Sequence, residues 1–152
     1  MSVIARLEGT KLRPEQELAD LIERTAGDGA VVNFIGIARP QSRTGHAVHR
    51  LVLEHHPTLT LQSLEEIAVE AASRFGVSHV RVVHRCGEVV AGEPIVFAGA
   101  ASPHRRAAFE AADYLMDRLK TEAVFWKREL GEDGSEWIEP SDADYADRGR
   151  WG

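Results

Sequence analysis

The chain has 152 residues, 43% of them hydrophobic, which is enough to bury one core and too few for two domains of ordinary size. A formal charge of −6 argues against general nucleic-acid binding, which leaves a basic footprint, and no apolar run approaches the ~20 residues that span a bilayer. The single cysteine, Cys86, excludes an intramolecular disulfide framework and leaves no thiolate cluster for a structural zinc.

Val3 to Leu7 reads as a short strand, and Pro14 opens a helix with Leu18, Leu21 and Ile22 at helical spacing, closed by Gly27 and Gly29. Ala30 to Ile37 is β-branched and almost continuously apolar, so a buried strand is predicted, finishing at Ala38-Arg39-Pro40. A polar loop, Gln41 to Ala47, leads to a strand through Val48, Leu51, Val52 and Leu53. Pro57 begins a long helix that ends near Phe75-Gly76. Strands follow at Val77 to Val83, Glu88 to Val90 and Pro94 to Ala101, with Gly87 as a turn signal. Ser102-Pro103 reads as the cap and first-turn proline of a helix whose stripe is Ala108, Ala112, Leu115 and Leu119. Ala123 to Leu130 is a strand, Asp133-Gly134 a turn, and Trp137-Ile138 a short strand. Residues 1–139 read as one domain and 140–152 as an acidic, mobile tail that Tyr145 and Trp151 dock on a partner. Hairpin-like pairs between irregularly alternating strands and helices favour α+β with antiparallel or mixed sheets. No Rossmann or P-loop glycine pattern is present, and the N-terminus lacks a secretion signal, so a cytoplasmic protein is expected.

Three cationic segments stand out on this acidic chain. His104, Arg105 and Arg106 sit in the first turn of a helix, where unpaired N–H groups already favour an anion; the spacing reads equally as solvated surface charge. Met116 and Lys120 share a helix face, and Lys127 lies on the strand beyond; each lysine reads as a catalytic amine or as an ordinary helix-end or aromatic-packed cation. Arg39 emerges from a strand end beside a loop, a common place for a ligand-facing side chain and for a plain surface one. His46, His49, His55 and His56 have no acidic or thiolate companions at metal-ligand spacing, and Cys86 reads as a small buried residue.

The ordered set Asn33-Phe34-Ile35-Gly36-Ile37-Ala38-Arg39, Leu51-Val52-Leu53-Glu54, His84-Arg85-Cys86-Gly87-Glu88, Ser102-Pro103-His104-Arg105 and Leu119-Lys120 to Glu129, with Trp137, resembles the large-subunit family of molybdopterin synthases from residue 3 to 139. The resemblance implies an α/β-hammerhead type of α+β fold. It also implies a heterotetramer in which a central homodimer carries small ubiquitin-like subunits at its ends. Each small subunit inserts a Gly-Gly tail ending in a thiocarboxylate, whose sulfur passes to cyclic pyranopterin monophosphate in two rounds, without ATP, cofactor or metal.

Position by position, the resemblance gives Lys120 as the essential lysine and Lys127 as the one meeting the tail, Arg39, His104 and Arg105 as substrate-binding, and Phe34 and Met116 as pocket-lining. Lys120 is expected to act as general acid/base with a lowered pKa and Lys127 to steady oxyanions. The family can place a further arginine after the tryptophan strand; here stands Pro140-Ser141-Asp142, with Arg148 or Arg150 as candidate substitutes.

Arg105 and Lys120 share one helix at ~15 residues, hence ~22 Å apart, so a site using both is shared across a two-fold dimer. Two other readings stand beside this one: a non-catalytic dimer binding a phosphorylated metabolite or partner tail, and Cys86 as a persulfide carrier, against which Cys86→Ala is expected to be tolerated.

Overall fold

The computed structural model describes residues 1–132 and 134–152. The chain runs β1 (Ser2–Glu8), α1 (Pro14–Glu23), β2 (Ala30–Ile37), β3 (Arg50–His55), α2 (Leu59–Phe75), β4 (His79–Arg85), β5 (Gly87–Val90), β6 (Pro94–Ser102), α3 (Arg105–Glu122), β7 (Phe125–Gly131), β8 (Gly134–Ile138) and α4 (Asp142–Gly149). One sheet has the order β1-β4-β6-β2, with β1 parallel to β4 and the other neighbours antiparallel; the second, β5-β3-β7-β8, is antiparallel throughout. This is the predicted α+β hammerhead type, the second sheet being the small β subdomain.

Strand alternation explains the layers. Val80 and Val82 of β4, with Val96, Ala98 and Ala100 of β6, face α2 and α3 and meet Leu64, Ile67, Ala71, Ala111 and Leu115. The next residues along, Val83, Phe97 and Ala101, point to the opposite face and pack on Leu12 and Leu21 beneath α1. With both faces covered, β6 has to be apolar without interruption, and each fully buried Val or Leu contributes ~1.5–3 kcal/mol. Gly99 marks a close approach of α1 to the sheet: a Cβ there would lie 2.8 Å from Leu21 Cδ2.

Helix ends only partly follow the sequence signals. Pro14 opens α1, and Gly76 ends α2 in the left-handed region at φ 63°, as predicted. The start of α2 is set by His56, whose Nδ1 accepts the backbone N–H groups of Thr58 (3.2 Å) and Leu59 (3.0 Å). Ser102 does not cap α3. It is the last residue of β6, the cap position is His104 without a side-chain cap, and Ser102 Oγ accepts the His104 N–H at 3.4 Å.

Three expectations are corrected. The strand Ala30–Ile37 is not buried: β2 is the sheet's edge, flanked only by β6, and Phe34, Ile35 and Ile37 are exposed. The polar loop after it is a closed hairpin, in which Ser42 N–H donates to His46 O (2.8 Å), Val48 N–H to Pro40 O (2.8 Å), and Gly45 takes φ 86°. Residues 140–152 form a helix docked on the protein itself. Ser141 and Asp144 make a reciprocal capping box, Arg148 pairs with Glu122, Arg150 with Asp117, and Trp151 sits edge-on to Phe75 and Tyr114. In the turn predicted at Asp133-Gly134, Asp133 lies outside the described residues; Gly134 takes φ 104°.

Candidate active site

The passage from α3 into β7 builds the site. Ala123 leaves the helix in an extended conformation (φ −69°, ψ 134°), so the chain reverses within a few residues of Lys120. The first turn of α2 holds this corner: Ser63 Oγ accepts the Val124 N–H (3.1 Å) and the Thr60 hydroxyl donates to Val124 O. Alternation along β7 then turns Phe125, Lys127 and Glu129 inward while Trp126 is exposed. Lys120 on the last turn of α3 and Lys127 on β7 thereby line one cavity of about 610 Å³.

The rest of its wall comes from separate stretches of chain. Edge strand β2 supplies Phe34 and Ile37, α3 supplies Met116, the hairpin after β2 supplies Arg39 and Arg43, and Asp144 and Tyr145 come from α4. The exposure of β2 therefore has a structural meaning, since its apolar side chains form a ligand-sized wall rather than part of the core.

Electrostatics divide the two lysines. Burial, then the neighbouring Lys120 ammonium, lowers the Lys127 pKa to about 8, with Asp144 opposing and Arg43 adding to the effect. Sequence reasoning looked for the acid–base amine at Lys120; burial makes Lys127 a candidate as well. Burial also raises the Glu129 carboxyl, against the pull of Arg39 and Arg43. Asp144 moves the other way: burial opposes, but the hydrogen bonds from Ser141 and the Lys120 and Arg43 charges hold its pKa down.

His84 completes the cavity floor. Its ring stacks on Phe125 at 4.1 Å between centroids, and Nδ1 lies 2.8 Å from the Arg85 carbonyl. A carbonyl oxygen only accepts, so Nδ1 carries the proton and Nε2 keeps a lone pair. Burial lowers the His84 pKa to about 3, and Lys127 and Lys120 push the same way against the carbonyl bond, so the imidazole is neutral.

Of the residues singled out from sequence, Phe34, Arg39, Met116, Lys120 and Lys127 line this cavity. His104 and Arg105 do not. With Gly29, Pro103 and Arg106 they line a separate concavity of about 400 Å³ at the opposite end of α3. His84, Glu129 and Arg43 are additions. The inward phase of β7, shared with Lys127, points to Glu129 from sequence alone, whereas His84 depends on packing against Phe125 that no local pattern announces. Cys86 is a buried free thiol whose pKa is raised by burial, the environment of an inert rather than a sulfur-carrying cysteine.

Similarity to known proteins agrees with this geometry. A sequence model of the MoaE protein family matches residues 7–122. The molybdopterin synthase catalytic subunit of Pseudomonas aeruginosa is 42% identical over 146 residues, covering 96% of this chain and 97% of that protein. The molybdopterin biosynthesis MoaE protein from Burkholderia ambifaria superposes with a TM-score of 0.80 at 36% identity, covering 100% of this chain and 99% of that one. A chain from the protein–protein complex of subunits 1 and 2 of molybdopterin-converting factor from Helicobacter pylori shares the fold, at TM-score 0.69 and 20% identity, covering 93% of this chain and 90% of that one. Joined by a family match that spans β2 and α3 of the cavity and by relatives aligned nearly end to end, the chain belongs to the MoaE protein family.

Proposed function

We propose that this chain is the catalytic subunit of a molybdopterin synthase, transferring sulfur from the thiocarboxylate tail of a small ubiquitin-like subunit to cyclic pyranopterin monophosphate. The observation that carries the reading is the convergence of Lys120 and Lys127, from different elements, on one cavity with an apolar wall and arginines at its edge. Such a cavity suits a flat heterocycle bearing a phosphate. The heterocycle lies against Phe34 and Met116, and Arg39 meets the charge.

In each round the thiocarboxylate sulfur bonds to a carbon of the pterin side chain as a carbon–oxygen bond there breaks, the oxygen leaving as water or with the phosphate. Water then cleaves the acyl carbon–sulfur bond of the resulting thioester, so the sulfur stays on the pterin and the tail leaves as a carboxylate. Negative charge develops on oxygen at the acyl carbon, where an ammonium in a partly desolvated cavity stabilises it more than in bulk water. Lys127 is also suited to proton transfer, because with a pKa near 8 about one molecule in ten carries the neutral amine at pH 7. Lys120 supplies the fixed positive charge beside it. His104 and Arg105 belong, in this reading, to the cavity of a second copy across a two-fold axis, since one protomer holds them at the far end of α3.

The test is reconstitution with a thiocarboxylated small subunit and the cyclic pterin, with dithiolene product as readout. Lys120→Ala is expected to lower turnover by ~100-fold or more, the usual loss when a charge-stabilising catalytic group is removed, while small-subunit binding persists. Near-normal product from a folded, partner-binding Lys120→Ala chain would overturn the assignment.

A further inference from the structure

The hairpin between β2 and β3 carries a second arginine that the cavity accounts for. We propose that Arg43 is a phosphate-binding residue, forming with Arg39 a two-arginine clamp on the phosphate of the pterin substrate. The inference rests on the reading above for its substrate and on separate observations for its residue.

The first observation is position. Arg43 lines the same cavity as Lys120 and Lys127, and its guanidinium donates to the Glu139 carbonyl at 3.1 Å. That bond takes one arm of the planar fork and tethers the exposed side chain at the cavity rim. The second is anchoring. The hairpin is closed by the Ser42–His46 and Val48–Pro40 backbone bonds, and His49 N–H donates to Leu130 O at 2.8 Å. It rests directly on β7, because a Cβ at Gly131 would lie 2.2 Å from the Ala47 carbonyl oxygen. Arg43 is thus mounted on a fixed turn whose seat requires a glycine.

The third observation is charge. Arg43 acts electrostatically on Lys127, Glu129 and Asp144, and Arg39 acts on Glu129 as well, so both guanidiniums act on one carboxylate of the cavity wall. Packing cations around an already desolvated lysine destabilises the empty site, and a bound oxyanion reverses the sign of that interaction. The other arginines near this end of the chain are engaged elsewhere: Arg148 pairs with Glu122, and Arg150 with Asp113 and Asp117 on the outer side of α3. Opening the cyclic phosphate turns a singly charged diester into a monoester of nearly two charges, which a paired-arginine clamp accommodates.

Steady-state kinetics of the assembled enzyme, with Arg43→Ala, Arg43→Gln and Arg43→Lys, separate the possibilities, together with direct titration of the cyclic pterin into each chain. Loss of a charge-assisted contact predicts a KM and a dissociation constant raised ~10-fold in Arg43→Ala, with kcat changed less than ~3-fold and partial recovery in Arg43→Lys. Arg43→Gln keeps a donor for Glu139 without the charge and is expected to behave as Arg43→Ala. Recovery by Gln would make the residue a strap for the 139–141 segment and overturn the proposal. So would an unchanged pterin KM, or a weakened affinity for the small subunit alone, which would assign Arg43 to the tail carboxylate. A wild-type chain without turnover that still binds the pterin ~10-fold better than Arg43→Ala would uphold the clamp and overturn only the catalytic reading.

Discussion

A neutral imidazole facing two amines makes His84 a fixed acceptor and an acid-sensitive point. Its folded pKa of about 3 lies below the ordinary value of 6.5, so between these limits the unfolded chain binds a proton that the folded chain refuses. The associated stability is complete above pH 6.5 and is lost as pH falls toward 3. His84→Phe keeps an aromatic ring against Phe125 without the titration. It should remove on the order of 3 kcal/mol of acid lability by pH 4, seen as a denaturation midpoint that falls less steeply with acid than in wild type.

Lys127 has the same relation at higher pH. Its folded pKa of about 8 against an ordinary 10.5 means that at pH 7 the fold carries an unfavourable buried ammonium, relieved as pH rises through that window. Lys127→Met should stabilise the fold by about 1–2 kcal/mol at pH 7, discounted because the cavity opens to water, and by little above pH 10.5, while product formation is lost. A Tm gain that does not shrink with pH would contradict the placement of this charge. Both lysines were legible in the sequence because an ordered set of motifs fixed them. That Lys127 is depressed was not, since its burial and the charges of Lys120, Asp144 and Arg43 around it come from the fold alone.

The last helix shows how far local pattern reaches. Its sequence is acidic and poor in aliphatic residues, and α4 contains no buried residue, so eight residues of this kind have no stability of their own. What holds α4 lies beyond its end. Trp151 lies 5.5 Å from the Phe75 ring and 5.4 Å from the Tyr114 ring, and its Nε1 donates to Asp117 at 2.7 Å. The docking surface comes from α2 and α3, far away in sequence, and composition therefore reads as a free tail. The capping box Ser141–Asp144 starts the helix, but such a local pair does not decide where a helix goes. Trp151→Ala should cost about 2 kcal/mol of local stability, bringing α4 amides to near-unfolded hydrogen-exchange rates while the β4 and β6 amides keep their protection. Because Asp144 and Tyr145 line the cavity, the same variant should open its α4 side; persistent protection of α4 would show that the aromatic slot is not its anchor. The β2 strand teaches the converse: its apolar run was legible as a strand, but not as an edge, because edge position is decided by which strands pair rather than by the strand's own residues.

Two concavities at opposite ends of one helix set the problem for the whole molecule. Arg105 begins α3 and Lys120 lies in its last turn, a separation of ~22 Å along a straight helix, which a single small pterin does not span. The N-terminal concavity has cations and backbone N–H groups but none of the lysines, whereas the larger cavity has the lysines and an open, apolar β2 edge. A two-fold axis that brings one copy's His104 and Arg105 to the other copy's Lys120 and Lys127 uses both features at once and gives two equivalent sites per dimer. Complementation then has a fixed arithmetic. Arg105→Ala and Lys120→Ala homodimers lack a required group in each site, but in a mixed dimer one site collects both substitutions and the other collects none. Random re-pairing of equal amounts makes half the dimers mixed, so activity should return to about a quarter of the wild-type value. Recovery near that level identifies a shared site. No recovery, when subunit exchange is verified by mass, would overturn the shared site.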